Sequence, residues 1–479
     1  MPRASFLTAT LAASALLALT AAGPATAAPE YVPGELIVKR TGAPAKTVTV
    51  AGGESVKDVA AELSDRPGVV HARPNYIARA SAYTPNDPSF PMQWNLATSP
   101  AGINMPDAWE LARAQRYPSG KRTIVAVLDT GVAYARPNYI AHATAYTPND
   151  PGFPLQWNLA TSAAGINMPE AWGIARQLGR SGGKDTIVAV LDTGVAYQRF
   201  GRFRRAPDLK HFVRGYDFVN GDRHPNDQNG HGTHVAGTIA QTTNNRIGTT
   251  GIAYRARIMP VRVLDASGAG DTLAISRGIR FAARRGADVV NLSLEFDAAV
   301  RAAQIPDIVS ALEYARSRGA IVIAAAGNQG SPQVAYPARA RHVVAVAATT
   351  AHGCQAEYSN SGVHVDIAAP GGGADAANTD TQYDTDTCRP DLRGEFIYQQ
   401  TFAGSVAKFA LPPGYEGTSM AAPHVSGVAA LLIGSRRLGR NPSPAAVEKR
   451  LKATARDIGS PGWDARYGWG LLDAAAALR

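Results

Sequence analysis

The stretch "TIVAVLDTGVAY" stands twice in this chain, at Thr123–Tyr134 and at Thr186–Tyr197. Each copy is a short run of β-branched and small apolar side chains that stops on Asp-Thr-Gly. A run of this length closed by a turn signal reads as a strand buried on both faces. An aspartate at its carboxyl end stands where open α/β sheets gather their ligands. Two residues, Asp129 and Asp192, therefore compete for one place. The run belongs to a longer repeat, in which "RPNYIARASAYTPNDP" from Arg73 is matched by "RPNYIAHATAYTPNDP" from Arg136. Both pairs stand 63 residues apart (136 − 73 and 192 − 129). Two copies are too few for a solenoid, which needs about three or more. The repeat reads as a tandem duplication.

Working outward from Thr186, buried strands alternate with helices. "HGTHVAGTIAQ" opens a helix, "ARIMPVRVL" is a strand and "TLAISRGIRFAARRG" a helix. "ADVVNLSL" is a strand, "IPDIVSALEYARSRG" a helix, and "AIVIAAAG" and "HVVAVAAT" are strands. "GTSMAAPHVSGVAALLIG" is a helix with Pro423 tolerated in its first turn. Near-continuous apolar strands between helices predict an α/β fold: a doubly wound, mostly parallel sheet with helices on both faces. Upstream, "YVPGELIVKR" (Tyr31–Arg40) reads as a strand, and "SVKDVAAELSDRPGVVHARPNYI" as a helix, a stop and a second strand. That is a small α+β unit, marginal by itself.

The first residues read "MPRASFLTATLAASALLALTAAGPATAAPE", one Arg, an apolar stretch and the small-residue pattern Ala25-Thr26-Ala27. This is the grammar of a secretory signal over 1–27, so a secreted, extracellular or periplasmic protein is expected, with no membrane contact once the signal is removed. The net charge is +10, but Arg and Lys are scattered apart from "RFGRFRR" (Arg199–Arg205) and no nucleic-acid motif accompanies them. A solvated basic surface is expected, without a nucleic-acid partner. The only cysteines are Cys354 and Cys388. In an exported chain a disulfide between them is the expectation and two free thiols the alternative. The acidic run "DAANTDTQYDTDTC" (Asp375–Cys388) reads as a solvated loop.

Three short motifs sit at junctions between loops and elements: Asp192 in "LDTG", His231 in "NGHGTHVAG" and Ser419 in "GTSMAAPH". A serine hydroxyl needs a base to take its proton. An imidazole serves at neutral pH, and a carboxylate sets its tautomer and stabilises the imidazolium. Ser419 begins a helix, whose N-terminus favours developing negative charge. A fourth residue, Asn328 in "AAAGNQG", ends a buried strand and offers an amide N–H to an oxyanion. Alone, Asp192 is a turn residue, Ser419 an N-cap, His231 a capping or core histidine and Asn328 a strand-end cap. Together, in the order Asp, His, Ser, they point to acyl transfer. A metal hydrolase using His231 and His234 would lack a Glu partner and leave Ser419 unexplained.

From about Tyr146 to the end, the chain resembles the catalytic domain of subtilisin-type serine proteases, on "DTG", "GHGTHVAG" and "GTSMAAPH" in that family's order. The resemblance implies a serine endopeptidase with Asp192, His231 and Ser419 as triad and Asn328 as oxyanion donor. It implies that Ser267–Gly270 (with Gly268, Ala269 and Gly270) and Leu292–Leu294 (with Ser293 and Leu294) are edges pairing with substrate backbone. Ala324–Gly327, including Ala325 and Gly327, would leave room for the side chain before the scissile bond. Glu295 stands where the family usually has glycine, which suggests a bias toward basic side chains. "YVPGELIVKR…PGVVHARPNYIARA" resembles the family's inhibitory propeptide, so the chain is expected to be a self-processing zymogen acting on proteins or peptides as a monomer. The expected division is signal 1–27, propeptide 28–82, duplicated segment 83–145 and catalytic domain 146–479. A catalytically impaired binding module is the alternative. One calcium is implied, held by Asp150, Asp208, Thr242, Asn245, Ile247 and Thr249 through side-chain and backbone oxygens. Asp192 precedes His231 by 39 residues (231 − 192) and Asp129 by 102 (231 − 129), and a "PDL" turn follows only the second copy. Asp192 is therefore the expected catalytic residue. The cut is expected near Ala143–Thr147 rather than near Ser81–Thr84.

Overall fold

This computed structural model describes residues 31–50, 54–80, 145–377, 382–385 and 387–479, with 78–80 by backbone alone. The expected signal segment, most of the duplicated segment and the strand carrying Asp129 lie outside them. Strand β1 (Tyr31–Arg40) pairs antiparallel with β2 (Lys46–Thr49) and β3 (Val69–Ala80), and helix α1 (Val56–Ser64) packs on them. Leu36, Val38, Val50, Val56, Ala60 and Ala72 form a small core of their own. This is the α+β unit expected upstream, with β3 running further than the apolar pattern alone suggests.

The body is a seven-stranded parallel sheet. In chain order its strands are β4 (Ile187–Asp192), β5 (Tyr216–Asp217), β6 (Arg257–Arg262), β8 (Val289–Leu292), β10 (Ile321–Ala325), β11 (Val343–Thr349) and β12 (Ile367–Pro370). In space they run β12-β11-β10-β8-β4-β6-β5. Short strands β7 (Ala269–Asp271) and β9 (Leu294–Glu295) lie off this sheet, and β13 (Thr401–Phe402) pairs antiparallel with β14 (Phe409–Ala410).

Side chains alternate across the sheet with period two. Val188 and Val190 of β4 join one core with α2 (Met168–Gln177), α3 (His231–Ala240) and α6 (Thr418–Ser435). Ala189 and Leu191 face the other, with α4 (Thr272–Arg284) and α5 (Pro306–Ser317). Each fully buried Val or Leu contributes roughly 1.5–3 kcal/mol, so one strand must be apolar on both faces. α7 (Pro444–Ala453) and α8 (Ala474–Leu478) complete the chain. No helix among the described residues is long and apolar enough to cross a membrane.

Pro423 is the sixth residue of α6, past its first turn. Its missing N–H leaves the Ser419 carbonyl without the usual helical donor, and Ser293 Oγ donates there instead at 2.9 Å. The acidic run is not simply a solvated loop. Asp375 is buried and accepts from Thr350 Oγ1 at 2.6 Å, while Arg466 grips both oxygens of Asp384 at 2.7 and 2.9 Å. Cys354 and Cys388 are joined in a disulfide, which closes that run onto the body.

Candidate active site

Every component sits at the carboxyl ends of the parallel strands. Asp192 is the last residue of β4, held between β6 and β8 and fully buried. Its Oδ1 accepts from Thr193 N and lies 2.7 Å from His231 Nδ1. A proton on Nδ1 facing that carboxylate leaves Nε2 as the bare acceptor. Nε2 is buried and without a hydrogen-bond partner. His231 opens α3, and the approach of that helix to β4 depends on Gly232. A Cβ there would stand 2.1 Å from the Gly194 carbonyl oxygen and 3.0 Å from Asp192.

Ser419 is the second residue of α6, and its Oγ donates to the Ser293 carbonyl at 2.9 Å. The two serines thus hold each other, since Ser293 Oγ donates back to the Ser419 carbonyl, and Asn291 Nδ2 donates to Ser293 Oγ at 2.9 Å. Asn328 lies beyond the end of β10. Its Oδ1 accepts from Thr418 N and Thr418 Oγ1, both at 2.8 Å, which leaves Nδ2 buried and unpartnered. An amide N–H with no acceptor is costly inside a protein unless something charged visits it. The expected site residues Asp192, His231, Ser419 and Asn328 are thus gathered at one end of the sheet. Asp129 lies outside the described residues. His234 does not join His231: its Nε2 faces the Ile397 carbonyl at 2.9 Å, its ring stacks on Tyr415, and burial pushes it down to about 3.

A strand lies beside both segments expected to pair with substrate backbone, but its partners are shifted toward their carboxyl ends, at Ala269–Asp271 and Leu294–Glu295, and Leu292 belongs to β8. β3 pairs antiparallel with β7 (Ile77 opposite Asp271, Ala78 opposite Gly270, Arg79 opposite Ala269) and with β9 (Arg79 opposite Glu295, Ala80 opposite Leu294). Gly268 precedes the paired residues, in the left-handed region at φ 82°. Beside them, Ala325 ends β10 and Gly327 has φ 115°. A Cβ on Gly327 would meet Asn360 Nδ2 at 2.1 Å and Glu295 Oε2 at 2.5 Å. Glu295 folds back so that Asn328 N donates to Oε2 at 2.9 Å and Oε1 at 3.2 Å. Burial, with Asp297 adding to it, pushes its carboxyl up to about 7.

The upstream unit is clamped to the body by side chains the motifs did not suggest. Arg73 and His71 both meet Asp307, Thr272 Oγ1 donates to Asn75 Oδ1 at 3.0 Å, and Gln304 Nε2 donates to Tyr76 at 2.8 Å. Also missed was Asp227, a fully buried carboxylate that accepts from Thr193 Oγ1, Thr233 Oγ1 and Gly230 N at 2.6–2.9 Å. It ties the Asp192 turn to the start of α3. Its signal was present as the turn-forming "NDQNG" before His231.

The expected calcium residues also converge. Asp150 accepts from the backbone N–H groups of Asn244, Asn245 and Arg246 at 2.7–3.2 Å and from Thr250 Oγ1 at 2.8 Å. Asp208 accepts from Gln241 Nε2 at 3.0 Å and Asn245 Nδ2 at 2.5 Å, and burial pushes it up to about 6. Thr242 N donates to the Asp208 carbonyl, Thr249 Oγ1 donates to Gln399 Oε1 at 2.7 Å, and Ile247 is largely exposed. Among the described residues no three His, Cys, Asp or Glu side chains cluster as a metal centre.

The profile of the subtilase family matches residues 183–470. A thermophilic serine proteinase of Bacillus sp. (strain AK1) is 37% identical, the match covering 70% of this chain and 71% of that one. Thermitase of Thermoactinomyces vulgaris is 36% identical over 66% of this chain and 94% of its own. Among solved structures, a protease of Pseudoalteromonas arctica PAMC 21717 superposes with TM-score 0.55 at 34% identity, covering 69% of this chain and 98% of that one. With this fold and these residues at the carboxyl ends of its strands, the chain belongs to the subtilase family.

Proposed function

We propose that this serine-type endopeptidase cleaves peptide bonds through an acyl-enzyme built on Ser419, and that it is exported as a zymogen and processes itself. The observation that carries the mechanism is the buried Asp192–His231 contact at 2.7 Å with His231 Nε2 unpartnered beside Ser419's element. Ser419 Oγ gives its proton to Nε2 and attacks the carbonyl carbon. Asp192 holds the imidazole in the tautomer that can accept and stabilises the imidazolium. The oxyanion takes Asn328 Nδ2–H, whose other end is fixed by Thr418. His231 then protonates the leaving amine, and water repeats the sequence on the ester.

β3 supports the zymogen reading, because it occupies both edges a substrate backbone would pair with and runs toward Ser293. The second copy carries the same pairing sequence with one basic residue exchanged for another, "RPNYIAHA" at Arg136–Ala143 for "RPNYIARA" at Arg73–Ala80. It can take the same place for a cut near Ala143–Thr147, which would release the spare strand with the propeptide. Tyr146 N donates to the Pro169 carbonyl, so the chain is anchored to the body just past that point.

The calcium residues fit a hard cation. Asp208 and Asp150 are buried near one another, and Gln241 Oε1 and Thr242 Oγ1 are buried oxygens without partners beside Asp208. Asp150, Asp208 and Asn245, with backbone oxygens of Thr242, Ile247 and Thr249, would hold the ion, which would tie the chain start to the loop after α3.

N-terminal sequencing of secreted protein, from the parent and from Ser419→Ala, tests the proposal. A parent beginning near Ala143–Thr147 and inactivated by a serine-directed phosphonate is expected, with Ser419→Ala persisting as precursor. An active parent that keeps residues 31–80 covalently attached would overturn the zymogen reading.

A further inference from the structure

A second cleft, of about 480 Å³, opens at the opposite end of the sheet from Ser419, beside the starts of β4, β8 and β10. It is lined by Arg180, Lys184, Arg318, Arg436 and Arg440. None of these five cations forms an ion pair among the described residues, whereas nearby Arg316 pairs with Glu448. Two carboxylates share the cleft, Asp185 and Asp288, and Asp288 is already engaged by Ile187 N at 2.8 Å. The cleft keeps an excess of three positive charges over its carboxylates (five against two).

The positive surface continues sideways. Arg255 packs against Gly182, two residues before Lys184 in the chain. His211 is held below its ordinary value by burial and then by Arg255, Lys210 and Arg205, which places all four together. Holding so many like charges on one face of a folded protein costs stability, and a bound polyanion removes that cost.

We infer that this basic cleft is a docking site for an anionic polysaccharide, whose sulfate, phosphate or carboxylate groups are taken by the arginine forks. The cleft geometry chooses among polyanions. None of its lining residues is aromatic, so it has no platform on which nucleic-acid bases would stack. Its concave shape admits a linear chain and not a flat lipid surface. Arginine presents paired N–H donors that match sulfate, phosphate and carboxylate groups. The amino end of α7, capped by Ser443 at the cleft rim, adds its partial positive charge. The site lies about 20 Å, the length of β4, from the carboxyl strand ends. It would hold the protease on a charged matrix with its cleft for peptides facing away.

The test is binding of the full chain to heparin, with a single-stranded oligonucleotide of equal charge as the second ligand. Arg318→Ser/Arg436→Ser/Arg440→Ser is compared with Arg284→Ser/Arg341→Ser/Lys408→Ser, which removes the same charge from exposed positions elsewhere. Thermal melts establish that both variants fold. The expected result is heparin binding that weakens with salt, is lost at least tenfold in the cleft variant and changes less than threefold in the control. Hydrolysis of a small peptide stays unchanged in both. The inference is overturned if the parent does not bind at low salt, if both variants lose binding equally, or if the oligonucleotide binds more tightly than heparin.

Discussion

If Glu295 biases the enzyme toward basic side chains, as its place in the sequence suggests, that preference must depend on pH, and the size of the effect can be worked out. Its carboxyl is pushed from an ordinary 4.5 up to about 7 by burial, with Asp297 adding to it and only the Asn328 N–H opposing. No described cation pairs with it. Strand β3 places Arg79 opposite it in register, and the second copy carries His142 at the matching position. A substrate Lys or Arg beside Glu295 would favour the ionised form. Returning the carboxyl to about 4.5 is worth at most about 3.5 kcal/mol, at roughly 1.4 kcal/mol per pKa unit, or about 300-fold in selectivity at high pH. Because the free carboxyl titrates near 7, the ratio of kcat/KM for a Lys peptide over its Leu counterpart should climb about tenfold between pH 6 and 8.5. Taking the ratio cancels titrations common to both substrates. Glu295→Gln should flatten the profile. A flat ratio in the parent, or a rising one in the variant, would refute the reasoning.

Linkage gives the same group a signature in stability. The folded state binds this proton more tightly than the unfolded chain, so the contribution is greatest below about 4.5 and is lost as pH rises through about 7. Melts of Glu295→Gln against the parent should separate progressively between about pH 4.5 and 7 and stay apart by a constant amount above it, with the variant the more stable.

Other expectations rest on the same geometry. Asp192→Asn should lower kcat on a peptide roughly 10⁴-fold, while Asp129→Asn leaves it unchanged, and the reverse result would give the sheet position to the first copy. Asn328→Ala should cost about 10²–10³ in kcat with little change in KM; that magnitude is the one known for the oxyanion asparagine of subtilisin. Ser293→Ala strips the donor from the Ser419 carbonyl at Pro423 and should destabilise by about 1–3 kcal/mol, read as a lower Tm. A chelator should lower the Tm of the parent, and Asp208→Asn should abolish that calcium-dependent part.

Much of the site was legible because its chemistry is local. Asp192, His231 and Ser419 each sit in a short motif whose glycines permit close approach, as Gly232 does against Gly194. The alternation of apolar strands and helices was equally plain, since a strand covered on both faces has to be apolar on both. What the motifs could not convey was how side chains from distant segments complete one another. Asp227 ties the Asp192 turn to the start of α3, and Thr418 turns Asn328 so that Nδ2 is left over. Ser293 replaces the hydrogen bond that Pro423 cannot make. Each is a polar group whose partner lies elsewhere in the chain, and hydrogen bonding at that separation leaves no periodic trace.

The duplicated strand divides the two kinds of knowledge. By itself the sequence determined that an apolar strand ending in Asp-Thr-Gly belongs inside a parallel sheet, and spacing favoured the second copy. Only the tertiary structure put β4 between β6 and β8 with Asp192 against His231. Only the tertiary structure, too, laid β3 between β7 and β9 and turned Glu295 inward beneath Asn328. Strand identity follows from local pattern and burial, while neighbours follow from which backbone edges remain free once the sheet has closed.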